Sequence, residues 1–414
     1  MSVTEVVAAG LVVLCLGLWL FELTPPFVPT LLLIAGAPLL LGSQDLGIDD
    51  VLAAAAHPVM ALFFGGFVLA AAARRHGLDR RLVALVVRVT RGRRRALVIG
   101  LTLASAFLSM WMSNIAAAAL LVQVVRPLVD DEPARSKFRR AALLAVAFGA
   151  NLGGIATPIG TGPNAIAIAA AAEPISFARW MSFGVPLVAL LLVIVVVVVV
   201  VGFGVSGSFV APAAAPRAPA GKNRSAVVVV VVFVLCVAGW LTGPLHGVDA
   251  AVVAMMAAAA LFASGLLGKD DLRDIDWSTL FLIAGGLVLG KVLEALGVLE
   301  RFHDVAAGVP PGLVLVVIVV GAATLSALMS NTATATLLVP LALSLDPSPR
   351  MAVLVAVACS LGAPFVISTP PNAMVAGAGV SGRDLLLVGL PVMAVGVVVV
   401  VVTGRQVLAF FGLG

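Results

Sequence analysis

The sequence predicts an all-α integral membrane protein of two inverted-topology repeats, each with five crossings plus one re-entrant helical hairpin. Three observations carry that expectation. First, 62% of the 414 residues are hydrophobic, 11% are charged and the mean hydropathy is +1.20, whereas a soluble domain averages about 25% charged residues. Second, two polar triplets, Ser113-Asn114-Ile115 and Ser330-Asn331-Thr332, lie near the middle of the apolar runs 96–125 and 313–345. Third, arginines cluster between apolar runs, the pattern of cytoplasmic loops in a membrane protein and not of a nucleic-acid surface.

Taken in order, the first half offers apolar segments at 6–21, 26–41 and 58–73, an arginine-rich stretch at 74–95, then the run 96–125. A basic connection (126–140), a glycine-broken segment at 141–172 and a span at 180–203 follow. A linker at 204–225, rich in Pro, Ala and Gly and carrying Arg217, Lys222 and Arg224, divides repeat 1 (1–203) from repeat 2 (226–414). The second half repeats the order at 226–241, 250–267, 279–296, 313–345, 351–379 and 385–411. Valine runs such as 195–201 read as lipid-facing helix, because only helices or closed barrels cross lipid. Residues 6–20 lack a basic leader or a small-residue cleavage site and read as a retained span. Cys15, Cys236 and Cys359 sit in apolar runs without metal spacing and read as packing residues.

Internal similarity supports the division. Val13-Leu14-Cys15-Leu16 and Trp19-Leu20 match Val234-Leu235-Cys236-Val237 and Trp240-Leu241, 221 residues later. Gly65-Gly66 matches Gly285-Gly286, Asn114 matches Asn331, and Pro163-Asn164-Ala165 matches Pro371-Asn372-Ala373, at offsets of 220, 217 and 208. Chance likeness among Ala/Val-rich helices would not keep that order, so an ancient duplication is expected.

The arginines set orientation. The stretch 74–95, the connection with Arg135, Lys137, Arg139 and Arg140, and the central linker are expected in the cytoplasm, with Asp45, Asp49 and Asp50 outside. Both flanks of 96–125 are basic, so that run enters and leaves on one side. As one helix it would extend ~45 Å; folded back at Ser113-Asn114, its arms reach ~20 Å, roughly mid-membrane. The hairpin reading follows, and five crossings per half then invert the second repeat, a secondary-transporter signature.

Each tip has a polar break in a following helix: Gly153-Gly154 through Asn164, within the broken helix 141–172, and Ser368-Thr369-Pro370-Pro371-Asn372, within 351–379. Proline and glycine there free carbonyls on one side and N–H groups on the other. Carbonyls and hydroxyls suit a small cation, and helix N-termini suit an anion. Prolines also kink membrane helices and small residues line tight contacts, which would explain any one of these positions alone. Two tips and two breaks in the same order favour binding.

What is missing also discriminates. Neither hairpin and neither break contains Asp, Glu or Lys, which removes a proton-relay carboxylate and a catalytic pair. The nearest intramembrane charges are Glu22, at a span end before Thr24-Pro25-Pro26, and Lys291 and Glu294, three apart on one helix face. His57, His76, His246 and His303 lie in or near loops. No metal cluster, phosphate loop or nucleophile–base set is present, so an enzyme is disfavoured.

At these residues the chain resembles the divalent anion:sodium symporter family of the ion-transporter superfamily. The doubled Ser-Asn-Thr-type motif, each copy followed by a Thr-Pro or Pro-Asn break, carries the resemblance, together with the Trp19, Glu22 and Pro25 spacing. The resemblance implies a homodimer in the cell membrane whose transport part slides against a scaffold. It implies co-transported sodium ions, no organic cofactor, no nucleic-acid partner, and a small divalent anion as substrate: a C4-dicarboxylate, citrate or sulfate. Carried over by position, it implies one sodium site at Ser109, Ser113, Asn114 and Gly160, and a second at Ser326, Met329, Asn331 and Ser368. The anion would lie against Ser113, Asn114, Thr161, Ser330, Asn331, Thr332, Thr369 and Pro370. Bound sodium would supply the positive charge that a neutral cradle lacks, making cation and anion binding mutually dependent. Two departures stand out. Ile115 occupies a position where the family usually has Thr, and the chain starts at what is usually the second helix, which puts the N-terminus outside.

The competing readings are another activity of that superfamily, such as arsenite export or sodium/proton antiport, and a membrane enzyme or non-transporting assembly subunit. The lack of a core Asp weighs against the antiporter.

Overall fold

The computed structural model describes residues 3–21, 23–42, 46–130, 132–133, 136–209 and 224–412. Glu22, Asp45, Arg135, Arg217 and Lys222, singled out above, lie outside the described residues, as does most of the 204–225 linker. The described chain is helical throughout, with one isolated antiparallel bridge between Arg93 and Ser208.

The first half runs α1 (Val3–Leu20), α2 (Phe27–Leu41), α3 (Ile48–Ala55), α4 (Pro58–Arg75), α5 (Leu78–Thr90), α6 (Arg94–Ser109), α7 (Asn114–Val129), α8 (Lys137–Gly153), α9 (Gly162–Ala170) and α10 (Phe177–Val197). The second runs α11 (Arg224–Leu241), α12 (Gly243–His246), α13 (Ala250–Ala263), α14 (Lys269–Arg273), α15 (Trp277–Ala295), α16 (Val298–Ala306), α17 (Pro311–Leu328), α18 (Asn331–Leu345), α19 (Pro349–Leu361), α20 (Pro370–Gly377) and α21 (Gly382–Phe410). Among the described residues, seven helical segments are long and apolar enough to cross a membrane, and five further apolar helices are shorter. This is a multi-pass membrane protein.

Starts and stops follow local chemistry. Asp249 Oδ1 accepts from the Ala251 N–H (2.7 Å) and Ser381 pairs reciprocally with Asp384, so side-chain oxygens satisfy donors that open α13 and α21. Gly77, Gly247 and Gly297 follow helix ends at φ of 68°, 68° and 65°, left-handed values that cost glycine nothing. The stretch 74–95, expected as a basic loop, holds α5. Its Leu82, Val83, Val86 and Val87 recur at helical spacing and pack inward while Arg80 and Arg88 face out. The arginine content hid that amphipathic period.

Corresponding bonds recur in the two halves. Trp19 Nε1 donates to the Pro26 carbonyl (3.1 Å) and Trp240 Nε1 to that of Ala250 (2.9 Å). A Cβ on Gly65 would stand 2.6 Å from the Ala254 Cβ, and one on Gly285 would overlap Thr30 Oγ1, so α4–α13 and α15–α2 touch through glycines. Thr30 Oγ1 adds a bond to the Phe281 carbonyl at 2.8 Å.

The buried apolar residues form three clusters. The largest joins α6–α10 to α17–α21; one smaller cluster joins α4, α11, α13 and the start of α15, and the other joins α1–α3 to the rest of α15. Trp111, just past α6, crosses to the second cluster: it stacks on Phe177 (centroids 6.4 Å) and Trp240 (6.5 Å) and meets Phe233 edge-on.

The four histidines serve local structure: His57 Nδ1 accepts from Val59 N–H, and His76, His246 and His303 bond the carbonyls of Leu266, Gly239 and Ser344. Lys291 and Glu294 pair at 2.9 Å on an exposed face. At the α4–α14 corner, Arg75 pairs with Asp271, and this bond holds the Asp271 carboxyl below its ordinary value of 3.8. A depressed acid pKa stabilises the fold above the unfolded value, and that stability is lost as pH falls through the folded one. Thermal unfolding in detergent should therefore weaken below about pH 4, the unfolded carboxylate value. Asp271→Asn should lower the unfolding temperature by a constant amount above pH 5, flatten part of that acid limb and converge with the parent at the acid end.

Candidate functional site

Both helix-to-helix turns inside the long apolar runs are built alike. Ser109 closes α6, is fully buried, and its Oγ lies 2.6 Å from both the Ala150 carbonyl of α8 and Asn114 Oδ1. Ser326 near the end of α17 is equally buried; its Oγ donates to the Cys359 carbonyl of α19 and lies 2.7 Å from Asn331 Oδ1. Each turn is thus pinned to the helix behind it by a serine, and each asparagine opens the next helix. Ser113 Oγ caps α7 by accepting from Ala116 N–H at 3.4 Å.

The two breaks match as well. Thr161 and Thr369 are extended (φ −152° and −148°) and immediately precede α9 and α20, which carry proline in their first turn where no N–H is needed. Asn164 Nδ2 donates to the Gly154 and Thr157 carbonyls at 3.0 and 2.8 Å, and Asn372 Nδ2 to those of Ala363 and Phe365 at 3.0 and 2.8 Å. These two fully buried amides bind carbonyls that interrupted helices release. Each break also reaches back to a tip. Thr157 Oγ1 donates to the Met110 carbonyl, and Ser368 Oγ to that of Ala327 at 2.6 Å. Asn151 Nδ2 donates to Asn372 Oδ1 (2.9 Å), tying the halves together.

Tips and breaks wall one cavity of about 650 Å³. The first half contributes Ser113, Asn114, Gly160 and Thr161; the second contributes Met329, Ser330, Asn331, Thr332, Ser368, Thr369 and Pro370. Ser109 and Ser326 stand directly behind Asn114 and Asn331. The residues expected to hold the two cations and the anion are therefore brought together, whereas Lys291, Glu294 and the four histidines stand elsewhere. Glycine makes the approach possible: a Cβ on Gly154 would fall 2.6 Å from Asn114 Oδ1 and 2.7 Å from the Gly160 carbonyl oxygen. One on Gly162 would overlap Thr332 of the opposite tip.

The electrostatics follow from the backbone. Asn114, Gly162, Asn331 and Pro370 are the first residues of α7, α9, α18 and α20, so four helix N-termini meet at the cavity. Each directs the positive end of its dipole at the cavity; α20, which begins Pro370-Pro371 and whose Asn372 N–H is taken by Thr369 Oγ1 at 3.4 Å, contributes that dipole without free N–H groups. Among the described residues no Lys, Arg or His lines the cavity. Asp276, which sequence reasoning missed, is its one carboxylate there, and it lies nearer to the site than Lys291 or Glu294. Its oxygens accept from the Thr279 N–H (3.0 Å) and from the Thr279 Oγ1 hydroxyl (2.8 Å), capping α15. An Asp just ahead of an apolar run, with Thr three residues on, was the available signal. Ile115, expected beside the anion, lines the wall, and so do Phe63, Phe67 and Leu328, which were not foreseen as contacts. They sit in apolar runs where only the tertiary arrangement separates cavity from core.

A multi-pass helical protein whose two tips and two helix breaks bring four helix N-termini to one cavity has the architecture of a secondary transporter. The family model described as "Citrate transporter" (CitMHS) matches residues 16–359. The chain belongs to that family, and it is a secondary transporter of the divalent anion:sodium symporter kind, resident in the cell membrane. Relatives agree. The sodium-dependent dicarboxylate transporter SdcS of Staphylococcus saprophyticus is 28% identical over 92% of this chain and 82% of its own length. An uncharacterized transporter of Methanocaldococcus jannaschii is 30% identical over 70% of this chain and 68% of its own. In fold, the chain is similar to the crystal structure of the Alcanivorax borkumensis YdaH transporter, with a TM-score of 0.63, 15% identity and coverage of 94% and 99%.

Proposed function

We propose that this protein is a sodium-coupled symporter of a small divalent anion, a C4-dicarboxylate first among the candidates, working by elevator-type alternating access. The observation that carries the reading is the meeting of four helix N-termini and two Ser–Asn pairs at a cavity lined, among the described residues, by no basic side chain. Helix dipoles attract an anion but do not neutralise two full charges in a low dielectric. Sodium ions held by the tips supply the remainder. The first ion takes oxygens of Ser109, Ser113, Asn114 and Gly160, and the second those of Ser326, Met329, Asn331 and Ser368. The crowding of Asn114 Oδ1 and the Gly160 carbonyl about Gly154, and the Asn331 Oδ1–Ser326 contact, support these two oxygen sets. The anion then lies between them against Ser113, Asn114, Thr161, Ser330, Asn331, Thr332, Thr369 and Pro370. Each ion raises the affinity for the other, which is the coupling.

The division at 204–225, the recurrence of element order and the matched hydrogen bonds support two repeats of opposite orientation. The split of the apolar core supports the elevator: α6–α10 and α17–α21 form the carrier, and the two smaller clusters form a scaffold through which copies pair as a homodimer. The name of the Staphylococcus relative supports sodium and dicarboxylate, and the family description keeps citrate as the main alternative anion.

The test is uptake of succinate, citrate and sulfate into proteoliposomes, with sodium replaced by potassium in parallel. Uptake of one of them in sodium alone is expected; indifference to all three in both salts would sink the proposal. Ile115, 43% exposed on the cavity wall, tunes selectivity. Restoring a hydroxyl with Ile115→Thr should shift the ratio of uptake rates among the three anions by about tenfold, the worth of one hydrogen bond at a binding site.

A further inference from the structure

Away from the transport cavity, the base of the first hairpin carries a second, differently lined cavity of about 550 Å³. Arg93, Arg95, Ala96, Ile99, Ser206 and Gly207 line it. The backbone builds this place deliberately. Arg91, the one non-glycine residue with positive φ among the described residues (47°), and Gly92 (φ 73°) reverse the chain after α5. The returning strand is then stitched to the segment after α10: Arg94 N–H donates to the Gly207 carbonyl (3.2 Å) and Phe209 N–H to that of Gly92 (2.8 Å). A left-handed arginine is costly, and such strain persists where the surroundings hold it.

The three consecutive arginines are used differently. Arg94 turns inward, pairs with Glu132 and lies 4.8 Å over the Phe138 ring. Arg93 and Arg95 turn outward into the cavity. Arg95 gives its Nε–H to the Val205 carbonyl at 2.6 Å, which aims the remaining guanidinium N–H groups, and neither arginine meets a carboxylate among the described residues. From the same rim an apolar line runs along α6: Ile99, Leu103 and Phe107, at i, i+4 and i+8, are 36%, 54% and 48% exposed. From Arg95 to Phe107 is twelve residues, ~18 Å of helix, close to the depth of one leaflet of the hydrocarbon core.

We propose that this is a binding site for one anionic phospholipid: the phosphate sits between the Arg93 and Arg95 guanidiniums, and an acyl chain lies along Ile99, Leu103 and Phe107. Guanidinium forks match phosphate oxygens, and two of them favour a net-negative headgroup over a zwitterionic one, whose own cation they repel. The apolar line distinguishes a lipid from free phosphate, which has nothing to place there. The seat lies where the first hairpin joins the segment after α10, so the lipid braces the hairpin's base.

The test uses the full chain in a neutral detergent, titrated with phosphatidylglycerol or phosphatidylcholine of identical acyl chains, and separately with inorganic phosphate. Bound lipid is counted by native mass spectrometry, and the unfolding temperature is followed. Phosphatidylglycerol should bind one to one and raise the unfolding temperature, while phosphatidylcholine and phosphate should not. Arg93→Gln with Arg95→Gln should weaken it about thirtyfold, from roughly one charge's worth of surface attraction per arginine. Arg93→Gln alone, whose side chain makes no hydrogen bond or ion pair among the described residues, and Phe107→Asn should each weaken it too. Equal binding of both lipids, an equal effect of inorganic phosphate, or a changed oligomer in place of bound lipid overturns the proposal. So does undiminished binding in the folded variants.

Discussion

Asn331→Ala should abolish sodium-stimulated uptake while the protein still reaches the membrane folded. Asn331 opens α18, faces the cavity, and its Oδ1 lies 2.7 Å from Ser326 Oγ. On the proposed reading, removing the amide takes one oxygen from a sodium ion and one donor from the anion between the tips. Hydrogen bonds to charged groups are worth about 1.5–3 kcal/mol each, so losing one ligand to each ion lowers uptake by roughly two to four orders of magnitude. The readout is initial uptake rate against sodium concentration, with unfolding temperature measured alongside. A variant that transports normally but melts early would reduce Asn331 to a packing residue. Asn114→Ala should behave alike, because its Oδ1 sits in the same relation to Ser109.

Arg140→Leu carries the largest expected stability effect. Arg140 in α8 meets Asp384 in α21 at 2.7 Å, and the carboxylate is 5% exposed. Asp384 also accepts from Ser381 Oγ at 2.7 Å, and the guanidinium lies 5.3 Å over the Phe203 ring. Removing the arginine strands a buried negative charge, a loss of about 3 kcal/mol or more. Arg140→Leu should lower the unfolding temperature markedly, and adding Asp384→Asn should recover part of the loss, because the second change removes the stranded charge. The measurement is thermal unfolding in detergent for the single and double variants. Equal melting of wild type and Arg140→Leu would mean that solvent already screens the pair.

Much of this molecule was legible in the linear chain because lipid is an unforgiving solvent. A residue such as Ser113 or Asn331 in a long apolar run needs a partner, and its depth in the run announces it. The helix turns fall at those triplets, and Asn164 and Asn372, found as a repeated Pro-Asn, do equivalent jobs on freed carbonyls. The amphipathic α5 was obscured, since its arginines outweighed the period of Leu82, Val83, Val86 and Val87. Asp276 was passed over because a helix-capping Asp looks the same in sequence whether it faces water or a transport cavity. The outward turn of Arg93 and Arg95 beside the inward turn of Arg94 was equally invisible, since adjacent residues differ only in helical angle. The sequence by itself determined that the chain crosses membranes as helices, where those helices break and which polar groups the breaks release, because burial in lipid makes each of those a local demand on the backbone. Only the tertiary structure decided that both tips and both breaks face one cavity, that four helix N-termini converge there, and that Phe63, Phe67 and Ile115 close its wall, because each is a relation between segments hundreds of residues apart that apolar composition does not distinguish.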